Sequence, residues 1–68
     1  METTVVKVNG MTCMGCVASV KKVLTAIDGV QQVDVSLEKA QATIVYDAAH
    51  SQPAQFRTAI EAAGFEAA

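Results

Sequence analysis

Residues 30–47 restrict the fold of this chain more than any other segment, because they alternate apolar and polar side chains along two short runs. The apolar positions are, in order, Val33, Val35, Leu37, Ala42, Ile44 and Tyr46. A period of two is typical of a strand that buries one face and exposes the other. With a short turn around Glu38 and Lys39, residues 30–37 and 42–47 therefore predict an antiparallel hairpin.

Residues 16–27 show instead the period of an amphipathic helix. Its apolar stripe consists of Val17, Val20, Val23, Leu24 and Ile27. Lys21 and Lys22 fall on the opposite side, where we expect them to be solvated or to steer an acidic partner surface. Gly29 follows, as expected just beyond a helix C-terminus.

A second helix is predicted to begin at Pro53, because proline is common in the first helical turn. Ser51 or Gln52 precedes it as the N-cap. The buried stripe of this helix consists of Phe56, Ala59, Ile60 and Ala63. Gly64 is expected to end it.

The two ends of the chain supply the remaining strands. Residues 3–8 are rich in β-branched side chains and predict a first strand, whereas residues 65–68 leave room for only a stub of strand. The order is then the βαββαβ pattern of ferredoxin-like folds. We expect one α+β domain over residues 1–68, a sandwich of a four-stranded antiparallel sheet with two helices on one face. That topology brings Phe65 close to Cys13 and Cys16.

Composition excludes several classes of function. The formal charge is -2, and no basic block with interleaved aromatic residues is present, so nucleic acid is not an expected partner. No run of about 18 apolar residues and no secretory signal pattern is found. We therefore expect a soluble, cytoplasmic protein that does not insert into membranes.

Cys13 and Cys16 are the only cysteines, and they form a Cys-x-x-Cys pair at the start of the first helix. A structural disulfide here would close a very short loop and add little stability. In a reducing compartment this spacing more often indicates metal binding or redox chemistry. A helix N-terminus lowers thiol pKa values, so Cys16, in the first turn, is expected to be the better thiolate and Cys13 the more exposed sulfur.

Two thiolates without a neighbouring charged ligand form a soft site that favours Cu(I) over hard cations. A structural zinc site would normally need four protein ligands. This chain has two cysteines and one histidine, His50, which we expect on the surface at the far end of the sheet.

A family resemblance narrows these options. The motif is Gly10-Met11-Thr12-Cys13-Met14-Gly15-Cys16, and a second block is Ala59-Ile60-Glu61-Ala62-Ala63-Gly64-Phe65. Together they resemble the heavy-metal-associated domain of copper chaperones and of the N-terminal regions of copper-transporting P-type ATPases. The likeness extends over essentially the whole chain. Met14 is an unusual occupant of its position, and the last strand is short.

The resemblance implies a non-enzymatic carrier that binds one Cu(I) ion between Cys13 and Cys16. It implies transfer by ligand exchange to a copper-transporting P-type ATPase. Met11 is then a buried anchor under the loop, Thr12 a local hydrogen-bonding residue, and Phe65 a shield for the metal loop. A free chaperone, an ATPase domain and a homodimer bridged by copper all remain open.

Two rival interpretations stay open at this point. A thioredoxin-like dithiol oxidoreductase also places Cys-x-x-Cys at a helix start. The short chain, the βαββαβ order and the position of Pro53 argue against it. The other rival keeps the fold and changes the metal to Hg(II) or to a divalent ion such as Zn(II).

Overall fold

The computed structural model describes residues 1–67, and its elements follow the predicted order. The strands are β1 (Glu2–Asn9), β2 (Val30–Ser36), β3 (Gln41–Tyr46) and β4 (Glu66–Ala67), and the helices are α1 (Met14–Thr25) and α2 (Pro53–Ala62). Ala68, the end of the predicted last strand, lies outside the described residues. The ferredoxin-like βαββαβ arrangement is therefore confirmed.

The four strands form one sheet in the order β2-β3-β1-β4, and every neighbouring pair is antiparallel. The long central pairing aligns Val6 with Ala42 and Thr4 with Ile44. β4 adds only two pairs at the far end of β1, including Asn9 with Glu66. The chain that leaves α2 thus returns to the end of β1 from which the cysteine loop departs.

Both helices pack on the same face of the sheet and enclose the core. The buried residues are Val6, Val8, Val20, Leu24, Val33, Ala42, Ile44, Tyr46, Phe56 and Ile60. The Tyr46 and Phe56 rings meet edge to face, with centroids 5.0 Å apart, a favoured aromatic geometry. The period-two and helical patterns therefore identified the inward faces correctly.

The first helix is shifted by two residues at each end from its predicted range of 16–27. It begins at Met14 because Cys13 has extended backbone angles (φ -157°, ψ 172°) and serves as the N-cap. It ends at Thr25, and a turn follows in which the Ile27 N–H donates to the Leu24 carbonyl. Ile27 still packs against the core from this turn, which explains why the apolar stripe continues past the helix.

The second helix has Gln52, and not Ser51, as its N-cap. Ser51 is buried, and its hydroxyl donates to the Asp28 carbonyl in the turn between α1 and β2. Gly29 lies against this contact: a Cβ there would come within 2.6 Å of the Ser51 hydroxyl, and the glycine φ is +92°. The loop before α2 is thus packed onto the turn after α1, at the end of the sheet away from the cysteines.

Candidate metal centre

The loop between β1 and α1 presents both cysteines at one end of the sheet. Met11 is half-buried and packs against the core, so it anchors the loop to the core. The Phe65 ring is also half-buried, and its Cδ1 lies 3.7 Å from where a Cβ of Gly10 would stand. The structure therefore places Phe65 beside the first residue of the motif, at the predicted end of the sheet.

The two sulfur atoms face each other. Cys13 Sγ and Cys16 Sγ are 3.6 Å apart, and neither cysteine is in a disulfide. Cys13 is exposed, whereas Cys16 is half-buried. The Thr12 hydroxyl lies 3.8 Å from the Cys16 sulfur. The more exposed sulfur is thus the one predicted from its place in the loop.

The start of α1 lacks the usual N-terminal cap. Cys13 makes no side-chain cap hydrogen bond, and the first turn contains no acidic residue. The Cys13 carbonyl accepts hydrogen bonds from the Cys16 and Val17 N–H groups, at 3.1 and 3.3 Å. Other backbone N–H groups near a helix start need an acceptor, and backbone hydrogen bonds of Thr12 and Cys13 reach the Cys16 sulfur.

The Cys16 thiol is more acidic than an ordinary cysteine, and the cause is local. Its pKa is lowered from 9.0 to about 7, chiefly by a hydrogen bond from the Thr12 backbone and next by hydrogen bonds from the side chains of Cys13 and Thr12. The direction agrees with the expectation for a thiol in the first turn of a helix. Near neutral pH a large fraction of Cys16 is therefore thiolate, the form in which a cysteine can bind metal.

The separation of the sulfurs suits one bridging ion. With metal–sulfur bonds of about 2.3 Å, one ion reaches two sulfurs that are up to about 4.6 Å apart. The observed 3.6 Å lies within that span. Within residues 1–67, no group of three or more His, Cys, Asp or Glu side chains is arranged to hold a metal ion. The candidate donors at this loop are therefore the two cysteine sulfurs.

Other residues that the sequence singled out lie elsewhere. His50 is at the opposite end of the sheet, where its Nδ1 is 3.0 Å from an Asp47 carboxylate oxygen. Lys21 and Lys22 are exposed on α1. Met14 is 70% exposed at the first position of α1, so its thioether is available to solvent.

Two features of the site were absent from the sequence prediction. One is the Thr12 backbone as the main cause of the lowered Cys16 pKa. The other is Gly15, whose missing Cβ would stand 3.6 Å from the Cys13 sulfur. The sequence contained no signal for the second, because the predicted helix began at Cys16 and left Gly15 in a loop, where glycine is common. In the described part of the chain, no helix has the length and apolar character needed to cross a membrane.

Comparison with known proteins agrees with this geometry. The model of the heavy-metal-associated domain matches residues 5–66. The chain is 42% identical over 66 residues to the human copper-transporting ATPase 2, a match that covers 97% of this chain and 4% of that protein. It therefore spans only a small part of that relative's length.

Two further similarities concern proteins of other kinds. The periplasmic component of the mercuric transport system of Pseudomonas fluorescens is 38% identical over 64 residues, which cover 94% of this chain and 70% of that protein. The solved structure of the CopZ metallochaperone superposes with a TM-score of 0.96 at 34% identity, covering 98% of this chain and 100% of that one.

Proposed function

The chain belongs to the heavy-metal-associated domain family, and we propose that it binds one Cu(I) ion between Cys13 and Cys16 and passes it by ligand exchange to a copper-transporting P-type ATPase. The observation that supports this most directly is the pair of free sulfurs 3.6 Å apart, of which one has a pKa of about 7. Both are held at the exposed end of one small ferredoxin-like unit, which we take to be a single domain over residues 1–68.

The choice of copper follows from the donor set and from the relatives. Two thiolates are soft ligands and suit a soft monovalent ion. They leave a net charge of -1 on the complex, which backbone N–H groups at the start of α1 stabilise. The human ATPase at 42% identity is named for copper transport, and CopZ at 34% is named as a metallochaperone.

Ligand exchange requires that one sulfur be reachable while the other still holds the metal. Cys13 is exposed and Cys16 is half-buried, so an incoming thiolate approaches from the Cys13 side. It forms a new sulfur–metal bond, and the bond to Cys13 then breaks. The released thiolate takes up a proton from solvent according to its own acidity, and no electron is transferred.

Three neighbouring residues support the loop in this proposal. Met11 holds it against the core. Thr12 stabilises the Cys16 thiolate through its backbone and its hydroxyl. Phe65 covers the side of the loop at Gly10 and restricts water there. None of the three supplies a bond to the metal.

The chain spans 4% of the ATPase relative, so it could act as a separate chaperone or as a segment of an ATPase. The proposed chemistry is the same for both roles, because both use the same two sulfurs. In either case the partner is a copper-transporting P-type ATPase, reached through its own metal-binding domain or at its membrane entry site. We propose that this takes place in the cytoplasm.

The test is a Cu(I) titration of the reduced protein against a chromophoric Cu(I) chelator. We expect one equivalent bound by the wild type, severe weakening in Cys13→Ser and in Cys16→Ser, and no measurable binding in the double variant. His50→Ala, at the other end of the sheet, is the control and should bind like the wild type. Undiminished affinity in the double variant would refute the proposal.

Mercury is the second candidate, because a mercuric transport component is 38% identical over 94% of this chain and Hg(II) also accepts two thiolates. Competition between Hg(II) and Cu(I) under a buffered thiol concentration separates the two.

Sedimentation of the loaded protein distinguishes a monomer from a copper-bridged homodimer. Reduction of insulin by strictly copper-free protein would instead favour a dithiol oxidoreductase.

A further inference from the structure

Gly15 occupies a position where the backbone does not call for glycine. It is the second residue of α1. Its φ is not in the positive range that Gly10, Gly29 and Gly64 adopt. Alanine has the highest helix propensity and glycine one of the lowest, so alanine would suit this helix better. The reason for glycine must therefore be sought in what a side chain would touch.

A side chain at this position would meet the exposed sulfur. A Cβ built on Gly15 stands 3.6 Å from Cys13 Sγ. Apart from its chain neighbours and the helix backbone, it has no other heavy atom within 4 Å in the part of the chain that the structure describes. A separation of 3.6 Å is ordinary van der Waals contact. A methyl group would thus fit without a clash and would cover one side of the sulfur.

The open side of Cys13 matters for ligand access, because Cys13 and Cys16 are not equally exposed. Cys16 is half-buried, and the Thr12 backbone and the Thr12 and Cys13 side chains hydrogen-bond to it. Cys13 is exposed, so it is the sulfur at which another ligand arrives. Gly15 leaves that approach open on the helix side.

We propose that Gly15 determines access to the site: it keeps one flank of the Cys13 sulfur open to an incoming thiol, and so sets the rate of metal exchange without contributing to metal affinity. The inference rests on the proposed function. Its ligand class is a thiolate on a partner protein. The incoming thiolate bonds to the metal, the Cys13 thiolate leaves and is protonated from solvent, and no oxidation takes place.

The first measurement uses metal-free, reduced protein and compares the wild type with Gly15→Ala. Each protein reacts with iodoacetamide, which is small, and with N-ethylmaleimide, which is bulkier. Fragment-ion mass spectrometry assigns the label to Cys13 or Cys16. We expect the Cys13 to Cys16 rate ratio for the maleimide to fall roughly fivefold, which corresponds to a barrier about 1 kcal/mol higher at the partly covered sulfur, and to fall less for iodoacetamide.

Thr25→Ala is the matched control. It places alanine at the last position of α1, about 15 Å along the helix from Gly15, and raises helix propensity without adding an atom near the thiols. We expect it to leave both alkylation rates unchanged. A fall in the Cys13 ratio in this control as well would attribute the effect to helix stability and overturn the proposal.

The second measurement follows Cu(I) transfer from loaded protein to glutathione in stopped flow. In Gly15→Ala we expect transfer to slow by a factor similar to that for the maleimide, with the Cu(I) dissociation constant unchanged. An unchanged Cys13 alkylation ratio, or a loss of affinity as large as the loss of rate, would overturn the inference. If the wild type binds no Cu(I), the proposed function fails, and the metal-free alkylation ratio still decides whether Gly15 controls access.

Discussion

The two helices of this protein begin in opposite ways. At α2, Pro53 is the first helical residue, and the Gln55 side chain accepts a hydrogen bond from the Gln52 N–H at 2.7 Å. At α1, the N-cap is Cys13, which makes no side-chain cap bond, and the second residue is a glycine. One start uses side chains of the chain to satisfy its backbone donors. The other leaves them near two thiols.

The loops that precede the two helices also differ: the loop before α2 is packed against another loop, and the loop before α1 is mostly exposed. The loop before α2 is packed onto the turn after α1 through Ser51 and Gly29. Its Asp47 carboxylate accepts from the Ala49 N–H and lies 3.0 Å from the His50 ring. The loop before α1 is anchored through half-buried Met11 and otherwise exposed. The α2 end thus stabilises the fold, and the α1 end has the thiols that we propose bind a metal ion.

The largest expected effect on stability comes from Gly29→Ala, which disrupts the packing between the loop before α2 and the turn after α1. Alanine at φ +92° costs about 1–2 kcal/mol, and contact of its Cβ with Ser51 and His50 adds about 1–3 kcal/mol of overpacking. We expect the free energy of unfolding in urea to fall by about 3 kcal/mol.

Gly64→Ala is the control for that substitution. Its φ of +97° is similar, but an added Cβ would meet nothing within 4 Å. It should therefore lose only the backbone part, about 1–2 kcal/mol. Equal losses in the two variants would show that the contact between the two loops does not add to stability.

The second prediction concerns the other helix start. Free Cu(I) buffered at 100 times its dissociation constant should raise the free energy of unfolding by up to about 2.7 kcal/mol, because the native state binds it. The Cys13→Ser, Cys16→Ser double variant should gain nothing. Urea titrations at fixed free Cu(I) measure this. Equal stabilisation of the double variant would place the binding outside the thiol pair.

A smaller effect is expected from Gln55→Ala, which removes the acceptor for the Gln52 N–H. Loss of such a capping interaction costs about 0.5–1 kcal/mol. The rates of alkylation of Cys13 and Cys16 should stay at their wild-type values. Arg57→Ala, a substitution at an exposed position of the same helix beyond its first turn, is the control. A change in thiol reactivity in Gln55→Ala would show that the two helix starts are coupled.

The sequence predicted those features that depend on local pattern. Alternation placed Ile44 and Tyr46 in the core, helical spacing did so for Leu24 and Ile60, and the motif identified the cysteine pair. What it missed depends on contacts between distant segments or on backbone direction. Ser51 was a candidate cap because serine is a favoured N-cap residue. Its actual contact, with Asp28, joins residues 23 apart and has no local pattern. The hydrogen bonds of the Thr12 backbone to Cys16 do not depend on a side-chain type and so have no sequence signal.

The smallest expected effects are those of pH on stability, and they fall in different pH ranges for the loop before α1 and the loop before α2. Because the Cys16 pKa is lowered from 9.0 to about 7, its contribution to stability is complete above pH 9 and is lost as the pH falls toward 7. The Asp47 pKa is lowered from 3.8, first by the Ala49 N–H and next by His50. Its contribution is therefore present above pH 3.8 and is lost only in stronger acid.

Alkylation of Cys16 by iodoacetamide as a function of pH measures the first of these effects. In the native metal-free protein we expect a half-maximal rate near pH 7, and in urea-unfolded protein a midpoint near pH 8.5–9. Thr12→Ala removes the hydroxyl 3.8 Å from the sulfur but keeps the backbone N–H, so the native midpoint should rise by less than about one unit. A midpoint near 9 in the native wild type would contradict the assignment of backbone donors to Cys16, and with it the contrast between the two helix starts.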